Sequence, residues 1–182
     1  MNLFELGILD FIQQNFRCAF LDVFFPFITK FGDGGYFWIA VSILLLCFKK
    51  TRRTGLMMGM ALTIGLLVVN ITIKPLVARI RPYDLNPAIE LLVPRLNDGS
   101  FPSGHTLACF ECATVLMIRD KRFGIPALVL AVLVALSRLY LYVHYPTDVL
   151  VGTILGVLFG FIGVILIRAI LKKFDRRELF PD

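Results

Sequence analysis

Apolar residues in this chain run in long blocks, with the polar residues gathered at the block ends. Five blocks, 34–48, 55–77, 103–118, 124–143 and 146–170, approach the roughly 20 apolar residues that a helix needs to cross a bilayer, and each predicts a spanning helix. A sixth block, 19–31, is interrupted by Asp22, Pro26 and Lys30; it suits a half-span, an interfacial helix or a first full span. Residues 1–17 read differently. Leu3, Phe4, Ile8, Phe11, Ile12 and Phe16 share one helical face while Glu5, Asp10, Gln13, Gln14 and Arg17 fall elsewhere, the pattern of an amphipathic helix lying at a membrane surface. This stretch lacks the basic leader and continuous apolar core of a cleavable signal peptide. The expectation is an all-α, polytopic membrane helical bundle of five or six spans plus an N-terminal amphipathic helix, forming one domain over 1–182.

Composition strengthens that expectation. Of 182 residues, 58% are hydrophobic and 18% charged, at mean hydropathy +0.80; soluble domains have about 45–50% and about 25%. The same content excludes disorder, and four cysteines are too few for a disulfide scaffold. Cys109 and Cys112 have C-x-x-C spacing, but they lie in an apolar block without a second pair, as packing residues do.

The net charge of +6 would point to nucleic acid in a soluble protein; in a membrane protein, position decides. Lys49, Lys50, Arg52 and Arg53, then Arg119, Lys121 and Arg122, then Arg168, Lys172, Lys173, Arg176 and Arg177 account for twelve of the nineteen basic residues. All fall on one side of a five-span alternation, which the positive-inside rule assigns to the cytoplasm. The tail 171–182 is then cytoplasmic, the loop 83–101 and the turn at His144 face outward, and the membrane is a bacterial cytoplasmic membrane. No nucleic-acid partner is expected.

Charged groups within or at the ends of spans are costly and read as functional. Here they are Lys74, Arg81, His105, Glu111, Arg138, His144 and Asp148, and both histidines of the chain are among them. Lys74 and Arg81 stand seven residues apart, two helical turns and so one face. Pro75 is placed to kink that helix and Pro82 to end it, while Arg79 reads as ordinary basic flank. Ser103 is a natural N-cap for the next block, Gly104 admits a ligand close to the backbone, and the free N–H groups of a helix start bind anions. His105 reaches the same anion from the first turn.

Pro146 suits position N1 of the last helix, which puts Tyr145 at the N-cap and Asp148 at N3. From N3 a carboxylate folds back over the helix start, where it holds one ring nitrogen of His144 and leaves the other basic. Arg138, six residues before His144, offers a bidentate fork. Gly152, Gly156 and Gly160, with Gly163 one turn on, form a close-packing stripe. Asp148, four residues before Gly152, therefore points into the bundle. Three cations, free backbone N–H groups and two histidines together suit phosphoryl transfer, with one histidine attacking and the other protonating the leaving oxygen. Spacing alone does not choose between them. Neither a metal nor a cofactor is expected, because three cations around one strongly placed carboxylate repel a divalent ion.

Lys74…Arg81-Pro82, Pro102-Ser103-Gly104-His105 and Ser137-Arg138…His144…Asp148, in that order, resemble the signature of the type 2 phosphatidic acid phosphatase superfamily, which includes lipid phosphate phosphatases and vanadium haloperoxidases. No signature position departs. The resemblance implies an all-helical membrane phosphatase working without metal. In it His144 forms a phosphohistidine, Asp148 orients that ring, and His105 protonates the leaving group and then activates water. Lys74, Arg81, Arg138, Ser103 and the Gly104 backbone bind the phosphate.

The substrate implied is a lipid phosphate or diphosphate, since a site at span ends under short loops is most readily reached by a headgroup whose tail stays among the membrane lipids. Likeness to compact bacterial members points first to undecaprenyl diphosphate, with phosphatidylglycerophosphate, phosphatidate and a lipid A phosphate as alternatives. An anion carrier or channel fits less well, because there is no internal repeat and the charges gather at one face rather than the midplane. A haloperoxidase is disfavoured by the spans. Glu111, outside the signature, is expected either as a buried protonated carboxyl bonded to a neighbouring helix or as a modulator of His105. Trp38, Tyr140, Tyr142 and Tyr145 read as interfacial aromatics.

Overall fold

The computed structural model describes residues 3–173, and all regular structure among them is helical. The elements are α1 (Leu3–Phe16), α2 (Ala19–Thr29), α3 (Tyr36–Cys47), α4 (Arg52–Gly65), α5 (Lys74–Val77), α6 (Pro82–Leu85), α7 (Gly104–Arg119), α8 (Lys121–Tyr140) and α9 (Pro146–Lys173). The apolar blocks coincide with helices. Among the described residues, Ala19–Cys47, Arg52–Leu85, Lys121–Tyr140 and Pro146–Lys173 are helical stretches long and apolar enough to cross a membrane. The first of these is broken: Gly34 and Gly35 take φ of 55° and 68°, values that suit glycine, so block 19–31 forms its own helix and packs on α8. Of the tail 171–182, residues 171–173 continue α9, while 174–182, with Arg176 and Arg177, lie outside the described residues.

The bundle is built around α7, which packs against α4, α8 and α9. It has 16 residues, about 24 Å of helix, and is buried along most of its length. Ser103 caps its start, its side chain accepting from the Thr106 N–H, and Asp120 caps the start of α8 by accepting from Arg122 N–H. The glycine stripe makes this packing close. A Cβ on Gly152 would meet the Ser103 carbonyl at 2.8 Å, on Gly156 the Leu107 carbonyl at 2.7 Å, and on Gly163 the Met57 carbonyl at 2.8 Å. Backbone cannot step aside. Gly156→Ala is therefore expected to force α7 and α9 apart, at about 1–3 kcal/mol for overpacking, read as a lowered thermal midpoint in detergent.

Two expectations need correction. Lys74 and Arg81 do not share one helix. Pro75 cannot donate to the Ile71 carbonyl; the backbone ahead of it, Leu66–Ile73, is widened into a π-helix, and Ala78 at φ 43° ends α5. Arg81 follows in extended backbone. Second, Trp38, Tyr140, Tyr142 and Tyr145 are buried instead of interfacial. Trp38 Nε1 donates to Cys109 Sγ, Tyr140 to Asp22 and Tyr142 to Asp10. Helix α1 turns Glu5 and Leu9 toward the bundle and leaves Leu3, Phe4, Phe11 and Phe16 exposed.

Candidate active site

A cavity of about 710 Å³ opens beside the start of α7. Lys74, Arg81, Gly104, His105 and His144 line it, together with Asp98 and Asn70, and Ile39, Ile43, Leu62 and Leu66 add apolar surface. Ser103, Arg138 and Asp148 stand directly behind this lining and are buried. The structure thus brings all eight sequence-predicted residues to one place, five at the surface of the cavity and three supporting them. Ser103 is occupied as a cap: its hydroxyl accepts from Thr106 Oγ1 at 3.0 Å, and its backbone N–H donates to the Asp148 carbonyl. That last bond joins the first turns of α7 and α9.

His144 is 1% exposed. Its Nδ1 lies 3.5 Å from Asp148 Oδ2, and its Nε2 lies 3.4 Å from Arg81 Nη1. Asp148 Oδ2 accepts from Tyr145 N–H at 2.9 Å, the fold-back expected of a carboxylate at N3. Burial first, then the positive charges of Arg138, Arg81 and Lys74, hold His144 well below its ordinary value. The ring is therefore neutral at pH 7, as a nucleophile must be.

Two residues of the site escaped the sequence reading. Asp98 Oδ1 accepts from Arg81 Nη2 at 2.7 Å, its backbone carbonyl accepts from Arg81 Nε at 3.0 Å, and its other carboxylate oxygen accepts from Lys74. Burial pushes the Asp98 carboxyl up, but the bonds and charges of Lys74 and Arg81 outweigh it and bring the value down to about 2. With a folded value below the unfolded one, the stabilisation from this contact is full above about pH 4 and lost as pH falls toward 2. Nothing in the loop sequence marks Asp98 out. The second residue is Asp33, whose Oδ1 lies 2.7 Å from His105 Nε2. Here a signal existed: an acid within Gly32-Asp33-Gly34-Gly35, inside apolar surroundings. Gly32 is needed too, because a Cβ there would come within 2.9 Å of the His105 ring.

Arg79 is not basic flank. Its guanidinium donates to Asp148 Oδ1 at 2.6 Å and to Glu5 Oε2 at 2.6 Å. Arg138 donates to Thr29 Oγ1, while its Nε has no partner among the described residues. Glu111 lines the cavity deeper in the bundle, against Gly65. Its Oε1 makes no hydrogen bond among the described residues, so the expected bond to a neighbouring helix is not made there. Cys109 and Cys112 are buried in the core of the bundle.

Over residues 54–172 the chain matches the PAP2 superfamily, a stretch that contains every one of the eight predicted residues. The chain belongs to this superfamily. It is 35% identical over 162 residues to the undecaprenyl-diphosphatase of Sulfolobus acidocaldarius, covering 88% of this chain and 77% of that protein. The crystal structure of Aquifex aeolicus LpxE superposes with a TM-score of 0.75 at 32% identity, over 86% of this chain and 93% of that one. The first transmembrane PAP2 type phosphatidylglycerolphosphate phosphatase from Bacillus subtilis superposes with a TM-score of 0.72 at 28% identity, over 93% and 85% of the two chains. With its long apolar helices, this PAP2 protein is an integral membrane protein.

Proposed function

We propose that this PAP2 protein hydrolyses a lipid phosphate or diphosphate, undecaprenyl diphosphate first, through a phosphohistidine on His144. One observation carries the reading: Lys74, Arg81, His105 and His144 converge on a cavity that Ile39, Ile43, Leu62 and Leu66 also line. That combination fits an anionic headgroup on a hydrophobic tail. The names of relatives agree with it, one an undecaprenyl-diphosphatase and one a phosphatidylglycerolphosphate phosphatase.

The chemistry follows from the placement of each group. His144 Nε2 attacks phosphorus; the bond to the leaving oxygen breaks, and that oxygen takes a proton from His105. Lys74, Arg81 and Arg138, with the N–H groups at the start of α7, neutralise the phosphoryl oxygens. Asp148 balances the charge that builds on the His144 ring, and Asp33 fixes the ring of His105. Water then attacks the phosphohistidine, giving a proton to His105; the N–P bond breaks and orthophosphate leaves.

Substrate must displace the Asp98 carboxylate from Lys74 and Arg81. Asp98→Asn is accordingly expected to strengthen inhibition by orthophosphate about three- to tenfold, as one competing charge is removed. An unchanged or weakened inhibition constant would show that Asp98 only organises the cations.

Five of the helical segments, α3, the stretch from α4 to α5, α7, α8 and α9, span the membrane in this reading. Positive-inside orientation puts Lys49–Arg53, Arg119–Arg122 and the end of α9 in the cytoplasm. The site then faces the extracytoplasmic side of a bacterial cytoplasmic membrane. Helix α1 lies on that surface with Leu3, Phe4, Phe11 and Phe16 toward lipid.

The test is phosphate release by purified protein in detergent from long-chain lipid diphosphates and monophosphates, with a chelator present. Release that survives the chelator, fastest with undecaprenyl diphosphate, is the expected result. No release from any of these lipids would refute the reading.

A further inference from the structure

Glu5 and Arg79 belong to none of the three signature motifs, yet Arg79 bonds to Asp148 and Glu5 bonds to Arg79 and to Thr147 beside it. Arg79 lies between α5 and α6, and its backbone carbonyl accepts from the Ser100 N–H at 2.9 Å. Its Nη1 donates to Asp148 Oδ1 at 2.6 Å and to Thr147 Oγ1 at 2.8 Å. Its Nη2 donates to Glu5 Oε2 at 2.6 Å, and the guanidinium sits 3.9 Å from the centroid of the Tyr145 ring. The other oxygen of Glu5 accepts from the Thr147 N–H at 2.9 Å and from its hydroxyl at 2.6 Å. Asp148 is fully buried and Glu5 nearly so.

The N–H groups at the start of α9 have no partner within the helix; Asp148 Oδ2 accepts from Tyr145 N–H and Glu5 Oε1 from Thr147 N–H. Glu5, brought from 142 residues away, does more than cap that turn, because its other oxygen holds Arg79. Its effect is on Arg79. A planar guanidinium held between two carboxylates is fixed in orientation, and the charge of Glu5 offsets that of Arg79. Asp148 thereby presents Oδ1 to Arg79 and keeps Oδ2, with its negative charge, beside His144 Nδ1.

We propose that Glu5 and Arg79 are positioning residues for the His144–Asp148 pair, so that the N-terminal helix α1 completes the site. This rests on the proposed phosphohistidine reading. Because α1 carries its exposed Leu3, Phe4, Phe11 and Phe16 on the outside, the correct seating of this helix is linked through Glu5 to the geometry around the nucleophile.

The two residues carry opposite charges, and that makes the proposal testable by pH profile. His144 and Asp148 also face Lys74, Arg81, Asp98, His105, Arg138 and Tyr145, which are common to all variants. In Glu5→Gln an unbalanced Arg79 disfavours a positive ring on His144. kcat is expected to fall about tenfold, the scale seen when outer partners of a reacting group are lost, with KM within about twofold. The acidic limb of the kcat profile moves to lower pH. Arg79→Gln leaves two carboxylates without their cation, favours protonation of His144, and moves that limb to higher pH. Arg79→Lys does not restore kcat, because one ammonium does not reproduce the fork.

Gln13→Ala is the comparison. Gln13 ties α1 to the Tyr140 carbonyl without touching Arg79, so loosening it leaves the limb in place. Limbs of Glu5→Gln and Arg79→Gln that coincide with wild type, or move in the same direction, would overturn the proposal, as would an equal loss of kcat in Gln13→Ala. Should Arg79→Gln fail to elute as a monodisperse species, Glu5→Gln decides alone. His144→Ala separates the two readings: if it retains activity, the phosphohistidine fails. If it is inactive while the Glu5 and Arg79 profiles stay unmoved, only the positioning role fails.

Discussion

His144→Ala is expected to lower phosphate release from a long-chain lipid diphosphate by at least about 10⁴-fold in kcat, the scale for loss of a nucleophile. In the proposed mechanism the imidazole Nε2 is the atom that forms the new bond, and the other nitrogen-bearing side chains considered for that role are engaged elsewhere. Lys74 and Arg81 are engaged with Asp98, and His105 is engaged with Asp33. The fold should tolerate the change. The space left by the ring borders Arg81 and Asp148 and is polar enough to hold water, so the thermal midpoint should move little. Activity measured beside a melting curve checks both halves. Residual turnover above about one per cent of wild type would move the nucleophile elsewhere.

Arg138→Met is expected to lower kcat/KM about 10³-fold while leaving the thermal midpoint unchanged or raised. Arg138 is 2% exposed, it donates to Thr29, and its Nε has no partner among the described residues. A guanidinium so deeply buried and so poorly matched is costly to the empty protein, and Arg81 and Lys74 add like charge nearby. In the proposed reaction a phosphoryl group supplies the missing partner. Removing the cation therefore relieves the empty site and impairs the loaded one, the opposition expected where a site is built for function at the expense of stability. Arg138→Lys should recover little, since an ammonium cannot reach two phosphoryl oxygens as a fork does. A large drop in midpoint with normal kcat/KM would mark Arg138 as purely structural.

Much of this architecture was legible because membranes simplify the code. Apolar blocks match α3, the continuous stretch from α4 to α5, α7, α8 and α9 to within a few residues, and the glycine stripe of α9 turns Asp148 inward, where it is buried. The eight site residues were legible for the same reason: in an apolar chain, each charged or imidazole group stands out, and three motifs in order are specific. What stayed hidden depended on tertiary placement. Asp98 is one acid in a polar loop, and only the fold brings it to Lys74 and Arg81. Arg79 looked like flank because its partners come from α1 and α9. The aromatic residues were misassigned because Tyr140 and Tyr142 donate to Asp22 and Asp10, acids on helices that hydropathy alone places at the surface. The π-helix before Lys74 had only Pro75 as a cue.

The most direct measurement of the central claim is a rapid acid-free quench of the protein during turnover of lipid diphosphate labelled in its terminal phosphate, followed by peptide mapping. The expected result is an acid-labile, base-stable phosphoryl group on the peptide containing His144. It should accumulate further in His105→Ala, where water is no longer activated, and be absent from His144→Ala. Label on any other residue, or phosphate release from His144→Ala at the wild-type rate, would contradict it.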